Sequence, residues 1–214
     1  MAMKAILFDL DGTLCNTLQD LADATNTVLA RHGFAPRPTE NFKQYVGNGA
    51  KMQLKRAIGE EIPEDLFATI LGEYLDYYGS HYLVKTAPYD GVKQTVQALY
   101  EKGITMAVVT NKPQPMAVDI VNALFGGQMQ GVWGNNPDFP LKPDPSMTLH
   151  VMAQLKADPS QTLFVGDSGV DMQTAKNAGL TAVGVTWGFR GRLELQSSGA
   201  NHLIDQASEI LALL

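Results

Sequence analysis

The feature that most constrains this chain is an apolar segment that runs directly into two aspartates. Residues 5–8 read Ala-Ile-Leu-Phe, and Asp9, Leu10, Asp11 and Gly12 follow. A continuous apolar run of this length predicts a strand buried on both faces, as in a parallel sheet. Asp9 then lies at the carboxyl end of that strand, where open α/β sheets bind their ligands. If the chain stays extended, Asp9 and Asp11 project to the same side.

Two carboxylates placed this close repel each other, by roughly 4 kcal/mol at about 4 Å and an effective dielectric constant of about 20. A bound cation, a shared proton or a nearby lysine would offset that repulsion. The plain alternative is a strand-to-turn junction with solvated acids, because Asp-Gly is a common turn signal. Motifs elsewhere in the chain distinguish between the two interpretations.

The composition narrows the classes of function. The 214 residues suffice for one large or two small domains, and the 45% hydrophobic fraction is ordinary for a globular protein. The net charge of -6 argues against sequence-independent binding to nucleic acid or an anionic membrane. The single cysteine, Cys15, excludes an internal disulfide framework and fits a reducing compartment. Because the pattern of a signal peptide and a long apolar run are both absent, the sequence predicts a cytoplasmic protein.

The segment behind the two aspartates is predicted to be helical. Residues 17–20, Thr-Leu-Gln-Asp, resemble a capping box that opens a helix. Further helices are predicted over about 40–46, 50–58 and 64–82, and no strand pattern appears between Asn16 and about Thr86. A parallel crossover needs only about a dozen residues, so this gap is far too long for an ordinary connection. We therefore expect an inserted helical domain.

From residue 92 onward, strand and helix patterns alternate. The predicted strands cover 104–109, 131–134, 162–165, 181–185 and 202–204, and the predicted helices cover 92–101, 114–124, 146–155, 170–178 and 207–214. This alternation predicts an α/β fold, a parallel Rossmann-like sheet with helices on both faces. The expected domains are an α/β core of residues 1–15 and 87–214 and an inserted all-helical domain of residues 16–86.

A hydroxyl and an amide follow the second predicted strand of the core. They belong to Thr110 and Asn111 in the run Val109-Thr-Asn-Lys112. The hydroxyl, the amide and the backbone N–H groups of a helix start suit the oxygens of an anion. The alternative is an ordinary N-cap, in which Thr110 or Asn111 caps the next helix and Pro113 lies in its first turn.

Two further motifs carry charge. Lys142 lies between Leu141 and a turn that prolines stiffen, so its side chain would reach a binding partner at small entropic cost. The alternative is that Lys142 is a solvated lysine in a turn. Asp167 ends a predicted strand, and Asp171 follows at the start of a helix. The two acids either complete an oxygen-ligand set for Mg²⁺ or favourably meet the dipole of that helix.

Taken together, these motifs gather acids, a hydroxyl and a lysine at one edge of one sheet. That combination has the general form of a metal-assisted phosphoryl-transfer site, with a cation, an anion clamp and a carboxylate nucleophile.

The chain resembles the haloacid dehalogenase superfamily of phosphohydrolases over its whole length, with a helical cap of the C1 type inserted after the first motif. The motifs that carry the resemblance are Phe8-Asp-Leu-Asp-Gly-Thr-Leu14, Thr110-Asn-Lys112, Lys142-Pro143 and Gly166-Asp-Ser-Gly-Val-Asp171. Within the superfamily it looks most like the phosphoglycolate phosphatase branch, through Val46-Gly-Asn-Gly-Ala50, Ala87-Pro-Tyr-Asp-Gly-Val92 and Val185-Thr-Trp-Gly-Phe-Arg190. One departure is Asn16-Thr17, where the family often has Asp-Ser.

The resemblance implies roles for individual residues. Asp9 would attack phosphorus and form an aspartyl phosphate, and Asp11 would act as acid and base. Mg²⁺ would be held by the Asp9 carboxylate, the Asp11 backbone carbonyl and Asp167, with Asp171 reaching it through water. Phosphate oxygens would be held by Thr110, the Asn111 backbone and Lys142, whose charge also offsets that of the nucleophile.

Substrate specificity is harder to assign. Gly47 and Asn48 are expected in a cap loop that faces the site, or else in a simple turn between helices. A substrate carboxylate would need a cation, and the candidates are Arg190, Lys51, Lys55 and Arg56. Lysine and arginine are also the ordinary residues of a solvated surface.

The sequence thus predicts an Mg²⁺-dependent phosphatase that acts on a small phosphorylated metabolite, with 2-phosphoglycolate as the first expectation. A pyrophosphatase or a sugar-phosphate mutase of the same superfamily is the near alternative. A phospho-acceptor signalling module is the distant one, and the long insertion counts against it. No nucleic-acid or membrane partner is expected, and the chain is expected to be a monomer or a homodimer.

Overall fold

The computed structural model describes residues 2–214. The strands are Ala5–Phe8 (β1), Cys15–Asn16 (β2), Ala87–Pro88 (β3), Thr105–Pro113 (β4), Gly131–Asn135 (β5), Thr162–Gly166 (β6), Thr181–Val185 (β7) and His202–Ile204 (β8). The α-helices are Leu18–Arg31 (α1), Phe42–Tyr45 (α2), Gly49–Ile58 (α3), Glu64–Tyr78 (α4), Val92–Glu101 (α5), Gln114–Phe125 (α6), Ser146–Leu155 (α7), Gly169–Asn177 (α8) and Arg192–Ser197 (α9). Short 3₁₀ helices cover Thr39–Asn41, Gly126–Gln128, Pro159–Gln161 and Ala207–Leu213.

Six strands form one parallel sheet in the order β5-β4-β1-β6-β7-β8. The apolar first strand lies in the middle, with Phe8 beside Val108 on one side and Val165 on the other. This register brings the carboxyl ends of β1, β4 and β6 to the same edge of the sheet. The predicted parallel α/β fold is confirmed.

Apolar side chains cover the sheet on both faces. On one face Val96 of α5 and Ile120 of α6 pack on the sheet with Ile6 and Val108. On the other face Val151 of α7 and Met172 of α8 pack with Leu7, Val109 and Phe164. Alternate residues of each strand therefore enter opposite layers, which explains why the strands read as unbroken apolar runs.

The helices between β2 and β3 form a third apolar cluster of their own. Helices α1, α2, α3 and α4 contribute Leu29, Phe42, Leu54 and Ile70, all fully buried, and Phe189 reaches in from the sheet side. These helices have an amphipathic pattern because their apolar faces meet one another instead of the sheet.

The two ends of this helical segment are joined by a short antiparallel ribbon, which sequence patterns did not predict. Cys15 of β2 pairs with Pro88, and Asn16 pairs with Ala87 of β3. A two-residue strand has no periodicity to read, because its partner is supplied by a segment about 70 residues away along the chain.

The predicted capping box at the start of α1 is wrong. The Thr17 side chain makes no capping hydrogen bond. The Asp20 carboxylate turns instead to the returning chain, where it accepts hydrogen bonds from the backbone N–H groups of Lys85 and Thr86 and from the Thr86 hydroxyl, at 2.8–2.9 Å. A distant partner has replaced the local one.

Several other boundaries differ from the predictions. The predicted helix over 40–46 is divided between a 3₁₀ turn and α2, and the helix predicted over 64–82 ends at Tyr78. Strand β4 continues through Pro113, α9 was not predicted, and the last helix is a 3₁₀ helix. Within residues 2–214, none of the helices combines the length and the apolar character that crossing a membrane requires.

Candidate active site

Three acids from different elements meet at the carboxyl edge of the sheet. Asp9 follows β1, Asp167 follows β6, and Asp171 lies in the first turn of α8. One oxygen of each carboxylate lies within 4.8 Å of the others, and all three residues are buried. The parallel arrangement of β1 and β6 explains the convergence, because neighbouring strands end side by side.

Gly12 lets the chain turn tightly enough to bring Asp167 close. Its φ of +87° favours glycine, and a Cβ at this position would lie 2.2 Å from Asp167 Oδ2. The backbone N–H of Phe189 donates to Asp167 Oδ2 at 2.7 Å, and the Thr13 hydroxyl donates to Oδ1 at 3.5 Å. Both oxygens of Asp167 therefore have a hydrogen-bond donor.

Lys142 lies among the acids, as the sequence predicted, and its side chain is 2% exposed. Its ammonium lies 2.9 Å from Asp9 Oδ1 and 2.7 Å from Asp171 Oδ1, and it donates to the Val109 carbonyl at 3.0 Å. The other oxygen of Asp171 accepts hydrogen bonds from the backbone N–H and the hydroxyl of Ser168 in a capping box. Asp171 thus holds Lys142 against Asp9.

The electrostatics of the cluster favour the binding of an additional positive charge. Burial raises the pKa of Asp9 to about 6 although Lys142 counteracts it, and burial together with Asp171 and Asp9 raises the pKa of Asp167 well above its ordinary value. Burial alone would lower the pKa of Lys142, but the charges of Asp171 and Asp9 outweigh it and raise that pKa. One buried lysine does not satisfy three carboxylates. Oxygen donors at this spacing suit a hard divalent cation such as Mg²⁺.

Asn111 fixes the loop around Lys142 with its side chain. Its Oδ1 accepts the backbone N–H of Lys142 at 2.8 Å, and its Nδ2 donates to the carbonyls of Lys142 at 3.1 Å and Gly47 at 2.9 Å. Thr110 is buried beside it, and its hydroxyl accepts the backbone N–H of Lys112 at 3.3 Å. Both residues therefore lie in the cavity wall, with the Asn111 amide engaged in structural hydrogen bonds.

The structure adds a site residue that the sequence predictions did not include. The Lys112 ammonium lies 3.0 Å from Asp11 Oδ1 and donates to the Tyr78 hydroxyl at 2.5 Å. Its side chain is 1% exposed. Lys112 belongs to the predicted motif at residues 110–112, but nothing local marks its partners, which lie 101 and 34 residues away in the sequence.

The candidate specificity residues fall into two groups. Arg190 and Gly47 line the cavity. Arg190 Nη2 donates to the Val46 carbonyl at 2.9 Å, while its Nη1 is buried and has no hydrogen-bond partner among the described residues. Asn48 does not line the cavity, and its Oδ1 accepts a hydrogen bond from Arg56.

The three other candidate cations lie away from the cavity. Lys51 is exposed on α3, and the Lys55 ammonium lies over the ring of Phe67. The Arg56 guanidinium is engaged by Asn48 and by the carbonyls of Gln44 and Tyr45. None of the three contributes to the cavity lining described by residues 2–214.

The cavity itself lies between the sheet edge and the helical segment, with a volume of about 40 Å³. Its floor holds Asp9, Asp11 and Asp167, and its roof includes Gln53 and Tyr74 from α3 and α4. A single water needs roughly 10–15 Å³, so the cavity has room for a small group only.

Comparison with known proteins identifies the class to which this fold and this site belong. Residues 6–185 match the family model of the haloacid dehalogenase-like hydrolases. The chain therefore belongs to the haloacid dehalogenase-like hydrolase family, and it is an enzyme of the phosphatase class.

Several named relatives are similar to this chain over nearly its whole length. The chain is similar to a phosphoglycolate phosphatase from Haemophilus influenzae, with 34% identity over 99% of this chain and 98% of that protein. It is also similar to an N-acetylmuramic acid 6-phosphate phosphatase from Pseudomonas aeruginosa, with 32% identity over 100% of this chain and 96% of that protein. The crystal structure of a predicted phosphoglycolate phosphatase from Haemophilus somnus superposes with a TM-score of 0.90 at 31% identity, over 98% of this chain and 97% of that one.

Proposed function

We propose that this enzyme hydrolyses the phosphate monoester of a small metabolite, with 2-phosphoglycolate as the first candidate. The observation that carries the proposal is the buried Asp9 carboxylate, held 2.9 Å from Lys142 at the floor of a small cavity. The relatives named phosphoglycolate phosphatase support the choice of substrate.

Asp9 is the nucleophile in this proposal. Its carboxylate attacks phosphorus, the bond from phosphorus to the leaving oxygen breaks, and an aspartyl phosphate forms. Water then cleaves that acyl phosphate and regenerates Asp9. Lys142 stabilises the charge that collects on the phosphoryl oxygens, and because Asp171 and the Val109 carbonyl hold it, it is oriented before the substrate arrives.

Asp11 lines the cavity two residues beyond the nucleophile and is placed to serve the leaving group. In the first half-reaction it gives a proton to the leaving oxygen, and in the second it takes one from water. Thr110 and the backbone of Asn111, at the end of β4, are the further groups proposed to hold phosphate oxygens.

The acid cluster is proposed to hold Mg²⁺. Asp9 and Asp167 would supply carboxylate ligands, the Asp11 backbone carbonyl would supply a third, and Asp171 would act through water while it holds Lys142. When bound, the ion would neutralise the phosphoryl oxygens and the carboxylates together.

We further propose that residues 16–86 form a cap on a catalytic domain of residues 1–15 and 87–214. The contacts that tie the two parts together include Tyr78 to Lys112, Gly47 to Asn111, and Val46 to Arg190. In this closed arrangement the cap limits the access of water during transfer. Gly47 and Arg190 would contact the substrate, and Asn48 would shape the cap loop through Arg56. The reaction is assigned to the cytoplasm, in keeping with the buried free thiol of Cys15.

The test is phosphate release by the purified protein with Mg²⁺ from 2-phosphoglycolate, pyrophosphate, nucleotides and sugar phosphates, compared by kcat/KM. The expected result is the highest kcat/KM on 2-phosphoglycolate. Absence of phosphate release from every compound would overturn the proposal, and a preference for pyrophosphate, or isomerisation of a sugar phosphate, would replace it with another reaction of the family.

A further inference from the structure

Two cationic side chains line the cavity within the described part of the chain, namely Lys112 and Arg190. They differ from Lys142, which is engaged with the nucleophile Asp9 below the cavity. The phosphoryl group in the proposed reaction belongs beside Asp9 and Lys142. Lys112 and Arg190 are therefore left to face the rest of the substrate.

Arg190 has one guanidinium nitrogen without a hydrogen-bond partner among the described residues. Its Nη2 donates to the cap carbonyl of Val46, and its Nε lies 3.4 Å from Glu194 Oε1. Its Nη1 is buried without a partner, although the side chain as a whole is 9% exposed. A buried donor left unpaired costs free energy, and an acceptor in the cavity would recover it.

Lys112 is positioned by the cap. Its ammonium donates to the hydroxyl of Tyr78 in α4 and lies 4.7 Å from the centre of the Tyr78 ring. Its only described charge partner is Asp11, which is itself in the cavity lining. The ammonium is thus held between the cap and the group proposed to serve the leaving oxygen.

We propose that Lys112 and Arg190 together bind a carboxylate on the leaving group, so that the enzyme selects phosphate esters of small hydroxy acids. The proposal rests on the proposed phosphatase function and names its substrate class. Lys112 and Arg190 are specificity-determining residues, and Tyr78 is a positioning residue that acts through Lys112. A guanidinium and an ammonium that face one space suit a carboxylate better than a neutral hydroxyl or methyl group.

The competing explanation is that Lys112 serves only to hold Asp11 in place. The two explanations differ in what happens when the carboxylate is removed from the substrate. A residue that only holds Asp11 affects every ester alike, whereas a carboxylate-binding residue affects the acidic ester more.

The experiment compares 2-phosphoglycolate with ethyl phosphate, in which a methyl group replaces the carboxylate. The measured quantity is the ratio of their kcat/KM values in the wild-type enzyme with Mg²⁺ and in Lys112→Met, Arg190→Met and Tyr78→Phe. Loss of one charge-assisted hydrogen bond should lower the ratio about 10- to 100-fold in each cation variant. The ratio should fall less in Tyr78→Phe, and Lys51→Met on the exposed face of α3 is the matched control that should leave it unchanged.

A ratio equal to the wild-type value in both Lys112→Met and Arg190→Met would overturn the proposal, even if the absolute rates fall. Should Lys112→Met fail to fold, Tyr78→Phe and Arg190→Met supply the same ratio, and an unchanged ratio in both again overturns it. Failure of the phosphatase proposal looks different, because the wild-type enzyme would then release no phosphate from either ester.

Discussion

Asp9 is held between two opposing influences, burial that disfavours its charge and a lysine that favours it. Asparagine at this position has the same shape but cannot attack phosphorus. We expect Asp9→Asn to lower phosphate release by at least about 10⁴-fold, as loss of a catalytic nucleophile does in other hydrolases. Steady-state phosphate release with Mg²⁺ measures it, and Asp138→Asn on the exposed surface is the control. Retention of more than a small fraction of the activity would remove Asp9 from the nucleophile role.

The acid cluster also predicts how pH and Mg²⁺ act together on stability. In the metal-free protein the pKa of Asp9 rises from 3.8 to about 6 on folding. Its contribution to stability is therefore fully present below pH 3.8 and is lost as the pH rises through about 6. The raised pKa of Asp167 acts in the same direction.

Mg²⁺ requires the deprotonated carboxylates, so its stabilising effect should have the opposite pH dependence. We expect Mg²⁺ to raise the Tm more at about pH 7.5 than at about pH 5, because protons compete with the ion at the lower pH. Asp167→Asn should abolish the increase. Thermal unfolding with and without Mg²⁺ measures this, and equal Tm shifts at both pH values would contradict the assignment of these acids as ligands.

At the scale of elements, the short ribbon of β2 and β3 is reinforced by Asp20. This buried carboxylate accepts hydrogen bonds from two backbone N–H groups and one hydroxyl of residues 85 and 86. The interaction joins the first helix of the proposed cap to the returning linker. The contact therefore adds to the β2–β3 pairing that holds the two ends of the helical segment together.

Removal of this carboxylate leaves three donors without their acceptor. We expect Asp20→Ala to lower the free energy of unfolding by about 2–4 kcal/mol, since buried donors lose a charged partner. Asp23→Ala is the matched control, because Asp23 pairs with Lys85 on the surface and should matter by less than about 1 kcal/mol. Urea unfolding measures both, and equal effects of the two substitutions would contradict the importance of the buried contact.

Elements with strong local patterns were predictable from the sequence. The predicted bounds of β7, β8 and α7 are those of the structure, because apolar runs and helical periodicity act over neighbouring residues. The polar end of β4 was missed because Thr110, Asn111 and Lys112 are held by site contacts instead of apolar packing. Helix α9 was missed because only Leu195 of its residues is buried and Leu193 is 82% exposed.

In the candidate site, too, the features that depend on local sequence patterns were predictable and the long-range contacts were not. The convergence of Asp9, Asp167 and Lys142 was predictable, since each follows a strand or its loop and parallel strands end at one edge. The contact between Lys112 and Tyr78 was not, because it depends on how the helical segment lies over the sheet. No local signal in either residue encodes that placement.

At the scale of the whole molecule, closure of the proposed cap limits the size of the substrate. A cavity of about 40 Å³ is small for a hexose derivative, so we expect a bulky substrate to require a more open cap. An open cap gives up the contacts of Tyr78, Gly47 and Val46 with the sheet side.

A closed cap predicts a clear preference between the two substrates that the names of the relatives contain. Three hydrogen bonds at about 1 kcal/mol each amount to about 3 kcal/mol, so kcat/KM on N-acetylmuramic acid 6-phosphate should be about 100-fold lower than on 2-phosphoglycolate. Both compounds carry a carboxylate and a phosphate ester, and they differ in bulk and in the distance between those two groups. In Tyr78→Phe, which weakens one closure contact, the difference should narrow. Similar kcat/KM values on the two substrates in the wild-type enzyme would show that the cap opens at little cost and that size does not select the substrate.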